Sequence, residues 1–255
     1  MPKLAFSLGY AKFKQHLVHF YVQGENKNSF LCIFPGEGHY MMNYEKMTYR
    51  LRDIEAFTVA DFTNGKTFMG GDQKWFHTKW QRLSGCGPTT VTNIFIYQTR
   101  KNEPDATRPM AKATYQARME EVWKHVTPTI HGIPTTDLLL KGVPSLLAAH
   151  GYRGVLDKLD IGPMAHVELA AVVDFLKTHL QQDIPVAFLT LDIGKEPGLD
   201  EWHWVTIVAM DEPRGNDSYA MILDNGDIKA VNLGLWLTTT KKGGGLASFS
   251  LQPAQ

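Results

Sequence analysis

The hydrophobic period of the chain changes near Gln182, and this change constrains the fold more than any other feature. Before it, HVELAAVVDFLKTHL (His166 to Leu180) carries apolar residues at the spacing of an amphipathic helix. After it come four short runs rich in β-branched and aromatic residues, IPVAFLTL, HWVTIVAM, SYAMIL and IKAVNL, separated by Gly, Asp, Asn and Pro. Such runs are typical of consecutive antiparallel strands. Helices followed by strands predict an α+β fold rather than a parallel doubly wound sheet.

The first part of the chain has a different pattern. Residues 1–79 mix aromatic and charged positions without a clean helical period, and FLCIF (Phe30 to Phe34) predicts a buried strand with Cys32 in the core. We therefore expect residues 1–79 to be an N-terminal extension or a β-rich subdomain of unknown role. Residues 80–255 are expected to form the main domain, with a polar surface loop at QTRKNEPDATRP.

Composition argues against several classes of function. The chain has 255 residues, 44% of them hydrophobic, so it can bury a sizeable core. Its 26 Lys and Arg residues balance 26 Asp and Glu residues without a block of either sign, which argues against a nucleic-acid partner. No run approaches the roughly 18 apolar residues of a membrane span. The two cysteines cannot form a disulfide framework, so we expect free thiols and a reducing, cytoplasmic setting.

One of the two cysteines lies at a special junction. In WQRLSGCGPTTVTNIFIY, Cys86 stands between Gly85 and Gly87, and Pro88 suits the first turn of a helix because its missing N–H needs no partner there. A helix N-terminus favours a thiolate, and the two glycines leave room for a substrate carbonyl. The pattern indicates a nucleophile. The alternative is a small buried residue in a Gly-rich turn.

A nucleophilic cysteine needs a base, and His203 in DEWHWVTIVAMDE is the best placed of the ten histidines. It opens an apolar strand that would hold its backbone rigid, and Trp202 and Trp204 would point to the opposite face. The alternative is a histidine that only caps a strand end. His16 and His19 have helical spacing, but no third ligand lies at a recognisable distance, so we expect neither a metal site nor a cofactor.

The base must in turn be oriented, and SYAMILDNGDIKAVNL places Asp224 and Asn225 at the end of the next strand. Either side chain could accept the imidazole N–H, while Asp-Asn-Gly also predicts a hairpin turn. We favour Asp224, because it closes the apolar run and its charge would stabilise an imidazolium. Asn225 is the alternative.

This order of residues resembles the papain-like cysteine peptidases. SGCGPTT is most similar to their bacterial branch that includes the peptidase domains which remove double-glycine leaders from bacteriocins. The resemblance spans about residues 80–236 and implies Cys86 as nucleophile, His203 as general base and acid, and Asp224 as the orienting residue. It also implies a glutamine shortly before the cysteine that helps to hold the oxyanion, for which Gln81 is the candidate.

The resemblance further implies a two-lobe fold, in which a helical lobe and an antiparallel β-sheet lobe flank the active site. It implies a cofactor-free thiol hydrolase, a cysteine peptidase, acting on a peptide or small amide held near Gly85, Trp202 and Trp204. The alternatives are an acyltransferase of the same fold and a peptide-binding module without turnover. We expect no nucleic-acid or membrane partner, and the pattern leaves the physiological substrate and the oligomeric state open.

Overall fold

The computed structural model describes residues 29–33, 39–164 and 167–254. It has mixed α+β structure with antiparallel sheets, which confirms the fold class expected from the change of period. The strands are β1 (Ser29–Ile33), β2 (His39–Asn43), β3 (Tyr49–Arg50), β4 (Thr58–Asp61), β5 (Lys66–Met69), β6 (Met110–Ala111), β7 (Tyr152–Arg153), β8 (Leu156–Ile161), β9 (Val186–Thr190), β10 (His203–Met210), β11 (Tyr219–Asp224), β12 (Asp227–Asn232), β13 (Gly244–Phe249) and β14 (Gln252–Pro253). The α-helices are α1 (Lys79–Ser84), α2 (Cys86–Arg100), α3 (Lys112–His125), α4 (Thr136–Lys141), α5 (Val143–Ala149), α6 (Leu169–Gln181) and α7 (Leu233–Thr239). Short 3-10 helices span Tyr44–Lys46, Ile54–Phe57 and Gln73–Trp75.

The main sheet has seven strands in the described part of the chain. Six follow the order β12-β11-β10-β9-β13-β8, and β3 pairs with the C-terminal end of β10. All its pairings are antiparallel, as predicted for the strands after Ile184. β9 and β10 are buried along their whole length, because apolar layers cover both faces of the sheet.

Helices pack on both faces of this sheet. Residues of β9 alternate between two apolar clusters: Val186 and Phe188 belong to the cluster that includes α6, whereas Ala187 and Leu189 belong to the cluster that includes α2, α4 and α5. α6 is the amphipathic helix expected from the sequence. α2 is buried over most of its length and packs against β10, so the N-terminus of α2 and the start of β10 can contribute to one site.

Residues 43–79 pack into the same body as the rest of the chain. Tyr44, Leu51 and Phe57 are buried in the cluster that includes α6, and β3 extends the main sheet. The β4-β5 hairpin reaches the loop between β11 and β12, where the N–H of Met69 donates to the carbonyl of Gly226 at 2.7 Å. Residues 43–79, part of the expected N-terminal extension or β-rich subdomain, thus share a hydrophobic core and a sheet with later elements of the chain.

Two expectations concern residues at the edge of what the structure describes. β1 contains Cys32, as expected, and pairs with β2, but the burial of Cys32 lies outside the described features. His16 and His19 lie outside the described residues altogether. Within the described ranges, no helix is both long enough and apolar enough to cross a membrane.

Candidate active site

Cys86 is the first residue of α2. α1 ends at Ser84, so Gly85 is the single residue between two helices. A Cβ atom on Gly85 would lie 2.5 Å from the carbonyl oxygen of Gln81 and 2.6 Å from the ring of Phe76, so glycine is what allows this close packing. Gly85 therefore serves the helix junction, and it is not among the residues that line the cavities described below. The junction leaves Cys86 half-buried at the N-terminus of the 15-residue helix α2.

His203 and Asp224 lie at the ends of adjacent strands. His203 opens β10 and Asp224 closes β11, and these two strands are paired. Nε2 of His203 donates a hydrogen bond of 2.7 Å to Oδ1 of Asp224, and both side chains are buried. The ring nitrogen that remains for Cys86 is therefore Nδ1.

The turn after Asp224 gives it and Asn225 different positions. Asp224 pairs with Asp227 across a two-residue loop, in which Asn225 has φ 51° and Gly226 has φ 81°. Two successive residues with positive φ are typical of a type I′ hairpin turn, and asparagine and glycine are the residues that tolerate it best. Asn225 belongs to this turn and lines the cavity beside it, while the hydrogen bond from His203 goes to Asp224.

Cys86, His203 and Asp224 line one small cavity of about 10 Å³, roughly the space of one water molecule. Burial lowers the pKa of His203, but hydrogen bonds and charge interactions with Asp224 and Cys86 outweigh burial and raise this pKa to about 10. Burial raises the pKa of Asp224, but its contacts with His203 and Lys229 lower this pKa to about 2. At neutral pH His203 is therefore an imidazolium that interacts with the Asp224 carboxylate on one side and with Cys86 on the other.

Asp224 has a second partner, Lys229 on β12. Nζ of Lys229 lies 2.7 Å from Oδ2 of Asp224, and the two side chains are only 18% and 5% exposed. Because the turn pairs Asp224 with Asp227, Lys229 occupies the diagonal position on the same face of the hairpin. The two carboxylate oxygens of Asp224 are thus divided between His203 and Lys229.

A larger cleft, of about 210 Å³, lies on another side of Cys86. Side chains from α1, from residues 130–134 and from Leu189 and Trp202 line it, and no Asp, Glu, Lys or Arg is among them. Four of these apolar side chains are exposed, by 45% (Trp80), 69% (Leu83), 79% (Ile130) and 55% (Trp202). Exposed apolar side chains concentrated in this way are typical of a binding surface.

The two tryptophans beside His203 differ in position. Trp202 precedes β10 in a turn, with φ 55°, and its exposed ring lines the larger cleft. Trp204 is 2% exposed, and its Nε1 donates a hydrogen bond of 2.7 Å to the carbonyl of Ile133. Of the two tryptophans expected to contact a substrate, Trp202 lines the larger cleft, whereas Trp204 supports the cleft wall from the core. The sequence predicts that both tryptophans lie on the strand face opposite His203, but Trp202 precedes β10, so the alternation of side chains along the strand does not fix its direction.

Gln81 is engaged in starting α1. Its Oε1 accepts a hydrogen bond from the N–H of Thr78, whose hydroxyl accepts one from the N–H of Gln81 in return. Its Nε2 donates to Glu120 at 2.6 Å. Gln81 does not line either cavity at Cys86, so the structure does not bring it to the position expected for an oxyanion donor.

A different glutamine, Gln73, lines the small cavity at Cys86. It belongs to the 3-10 helix before α1 and lines the small cavity together with Cys86 and His203. Its Nε2 donates to the carbonyl of Arg82 at 3.1 Å, and its Oε1 is buried without a hydrogen-bond partner among the described residues. The unpartnered Oε1 and the second hydrogen on Nε2 leave this amide with hydrogen-bonding capacity in the cavity that Cys86 also lines.

One group of potential metal ligands occurs in the part of the chain that the structure describes. The ligand atoms of Asp200, His203 and Asp224 lie within 4.8 Å of one another. Oδ1 of Asp224 already accepts a hydrogen bond from His203, and Oδ2 already pairs with Lys229. A metal ion at this position would therefore compete with an imidazolium and an ammonium for the same carboxylate.

The residues that sequence reasoning missed are Gln73, Lys229 and the cleft wall at 130–134. No motif marks Gln73 or the wall, because tertiary packing alone brings them to Cys86. Lys229 could have been found from the Asp-Asn-Gly turn, which fixes the register of the hairpin. Comparisons with protein-family models, with curated proteins and with solved structures found no match to this chain.

Proposed function

We propose that this chain is a papain-like cysteine hydrolase that cleaves a peptide or small amide bond through Cys86, His203 and Asp224. The observation that carries the proposal is the buried 2.7 Å hydrogen bond from His203 to Asp224, on a histidine that also interacts with Cys86. A thiol at a helix N-terminus with a base held by a carboxylate is what nucleophilic catalysis requires. The two-lobe papain-like arrangement and the kinship with leader-removing peptidases are part of the proposal, supported by the Cys-His-Asp order along the chain.

The reaction has two halves. In the first, the thiolate of Cys86 attacks the carbonyl carbon and forms an S–C bond, and His203 gives its Nδ1 proton to the leaving amine as the C–N bond breaks. In the second, His203 takes a proton from water, the water oxygen attacks the thioester, and the C–S bond breaks to release the acid. Asp224 keeps Nε2 of His203 protonated throughout, so the transferred proton is always the one on Nδ1.

The tetrahedral intermediate needs hydrogen-bond donors for its negative oxygen. The backbone N–H of Cys86 lies in the first turn of α2, where N–H groups lack intrahelical partners. Nε2 of Gln73 carries a second hydrogen besides the one donated to Arg82, so we assign the side-chain donor to Gln73 instead of Gln81. Each such donor lowers the barrier by roughly 3 kcal/mol at other acyl-transfer sites.

The larger cleft favours a substrate with an apolar acyl group. Trp80, Leu83, Ile130 and Trp202 surround the approach to Cys86, and no Asp, Glu, Lys or Arg lines the cleft to pair with a charged group. The volume of about 210 Å³ is below the roughly 300–1,000 Å³ of sites for drug-sized ligands. The cleft therefore suits one bulky apolar side chain next to the scissile bond.

Thiol labelling tests the proposal. The full chain would be treated with iodoacetamide at neutral pH, and alkylation of each cysteine would be followed by mass spectrometry. We expect Cys86 to react about tenfold or more faster than Cys32, because Cys86 interacts with the imidazolium of His203 and lines an open cleft. Cys32→Ala should leave this rate unchanged, and Cys86→Ala should abolish hydrolysis of peptide amides with apolar acyl groups. Equally slow alkylation of both cysteines would indicate a binding module without turnover.

The same thioester can react with an amine instead of water, which would make the enzyme an acyltransferase. Mass analysis of products formed with and without an added amine distinguishes the two reactions. Because the thiol acts only when reduced, we place the reaction in a reducing, cytoplasmic setting.

A further inference from the structure

We propose that Lys229 is a positioning residue of the candidate active site, which holds the carboxylate of Asp224 so that Oδ1 faces His203. This inference rests on the proposed function and adds a fourth residue to its chemistry. Lys229 lines neither cavity at Cys86, so it acts through Asp224 and not through contact with a substrate.

The geometry of the Asp224 carboxylate supports this role. A carboxylate can rotate about its Cβ–Cγ bond, and one strong contact on each oxygen fixes that rotation. Nζ of Lys229 binds Oδ2 at 2.7 Å and Nε2 of His203 binds Oδ1 at 2.7 Å. Charge-assisted hydrogen bonds of this length are among the strongest in proteins, and burial protects them from screening by salt.

The hairpin fixes where Lys229 can reach. Lys229 pairs with Ile222 in the β11-β12 ladder, two residues from the Asp224 and Asp227 pair. Its backbone is therefore held by the same ladder that holds Asp224. With 18% of its side chain exposed, Lys229 has little freedom to turn its ammonium group into bulk water.

The charges around Asp224 give Lys229 a second effect. Asp227 stands opposite Asp224 in the ladder, and Asp200 lies within the same 4.8 Å group of ligand atoms. Burial raises the pKa of Asp72, and the charges of Asp224 and Asp227 add to this effect against that of Lys74. Lys229 also interacts with Glu196. In the described ranges, the cations paired with Asp224 are the imidazolium of His203 and the ammonium of Lys229. Loss of Lys229 would leave the imidazolium of His203 as the cation paired with Asp224.

The first measurement needs no turnover. In uniformly ¹⁵N-labelled protein, the Nε2 proton of His203 should resonate far downfield when it is bonded to the carboxylate. We expect this resonance to persist in the wild type and in Lys229→Arg, and to move upfield or broaden away in Lys229→Met. Lys112→Met is the matched control, because it removes a partly buried ion pair with Asp61 outside the candidate site.

The second measurement follows the rate of Cys86 alkylation as a function of pH. Removal of a cation makes every nearby proton harder to lose, so the limbs of the profile should shift to higher pH by about one unit in Lys229→Met and in Lys229→Gln. Lys229→Arg should restore the wild-type profile. With a substrate in hand, we expect kcat to fall about tenfold in Lys229→Met at unchanged KM, a part of the roughly hundredfold or more that a positioned acid–base group contributes.

The outcomes separate this inference from the proposed function. An unchanged Nε2 resonance together with an unchanged pH profile in folded Lys229→Met would overturn the role of Lys229, whatever the activity of the wild type. A wild-type Cys86 no more reactive than Cys32 would overturn the proposed function, and the resonance would still decide whether Lys229 holds Asp224. If Lys229→Met fails to fold, Lys229→Gln retains a neutral donor, and its pH profile then decides: a shift supports the role and none refutes it.

Discussion

Nε1 of Trp204 donates a hydrogen bond of 2.7 Å to the carbonyl oxygen of Ile133, and this bond joins the strand that begins with His203 to the wall of the apolar cleft. The wall is otherwise part of a short turn, in which Thr129 and Gly132 exchange backbone hydrogen bonds. A residue adjacent to the proposed base therefore also supports the surface that would receive the substrate.

Trp204→Phe should loosen this wall while leaving the catalytic residues in place. The carbonyl of Ile133 would lose its buried partner, so the free energy of unfolding should fall by about 1–3 kcal/mol. KM for substrates with an apolar acyl group should rise severalfold, with kcat within about twofold of the wild type. Trp236→Phe is the matched control, since it breaks a buried indole bond of 2.9 Å to Asp192 but does not line the cleft. Equal effects on KM in both variants would contradict the role of Trp204.

Asp224→Ala should lower turnover far more than folding stability, because it removes the group that orients His203 and offsets its charge. Asn225→Ala should act in the opposite way. Alanine at a φ of 51° is strained by about 1–2 kcal/mol, so this variant should unfold more easily while its kcat stays close to that of the wild type. Steady-state kinetics and urea unfolding of both variants provide the test. An inactive Asn225→Ala beside an active Asp224→Ala would assign the orienting role to the amide.

Gln73→Ala and Gln81→Ala should also separate activity from stability. Loss of an oxyanion donor costs roughly a hundredfold to a thousandfold in kcat, and we expect a fall of that order for Gln73→Ala. Gln81→Ala removes one half of a capping box and should cost about 1 kcal/mol of stability with little change in kcat. Kinetics on the two purified variants, with melting curves as the control for folding, decide which glutamine serves the reaction. A large loss of kcat in Gln81→Ala alone would restore the assignment made from the sequence.

The His203 and Asp224 pair should give the protein a defined pH dependence of stability. The pKa of His203 is raised from 6.5 to about 10, so its contribution is complete below pH 6.5 and is lost as the pH rises through 10. The pKa of Asp224 is lowered from 3.8 to about 2, so its contribution is complete above pH 3.8 and is lost as the pH falls through 2. The contribution of the pair is therefore greatest between pH 3.8 and 6.5.

Urea unfolding of the wild type and of Asp224→Asn between pH 3.8 and 10 measures that contribution. In Asp224→Asn the carboxylate no longer raises the pKa of His203, so the decline in stability between pH 6.5 and 10 should be much smaller than in the wild type. Parallel profiles for the two proteins would mean that the pair does not contribute to folding in this way.

The change of period near Gln182 was sufficient to predict the antiparallel strands, since strand patterning is local. The proximity of His203 and Asp224 followed from their places at the ends of consecutive strands. The sequence also predicts where the Gln81 side chain is engaged: Thr78 and Gln81 have the spacing of a capping box, which uses the glutamine side chain within its own helix. Gln73 could not be found in this way, because its position depends on packing against the carbonyl of Arg82.

The placement of β10 between β9 and β11 implies two timescales of motion within one site. Backbone amides in this buried central strand should exchange with solvent deuterium only when the whole protein unfolds, while those around the exposed Ile130 should exchange through local opening. The wall of the cleft can therefore fluctuate without disturbing His203. Under the proposed function, substitutions at residues 130–134 should therefore alter the preference for the acyl group while His203 and Asp224 keep their places at the ends of β10 and β11.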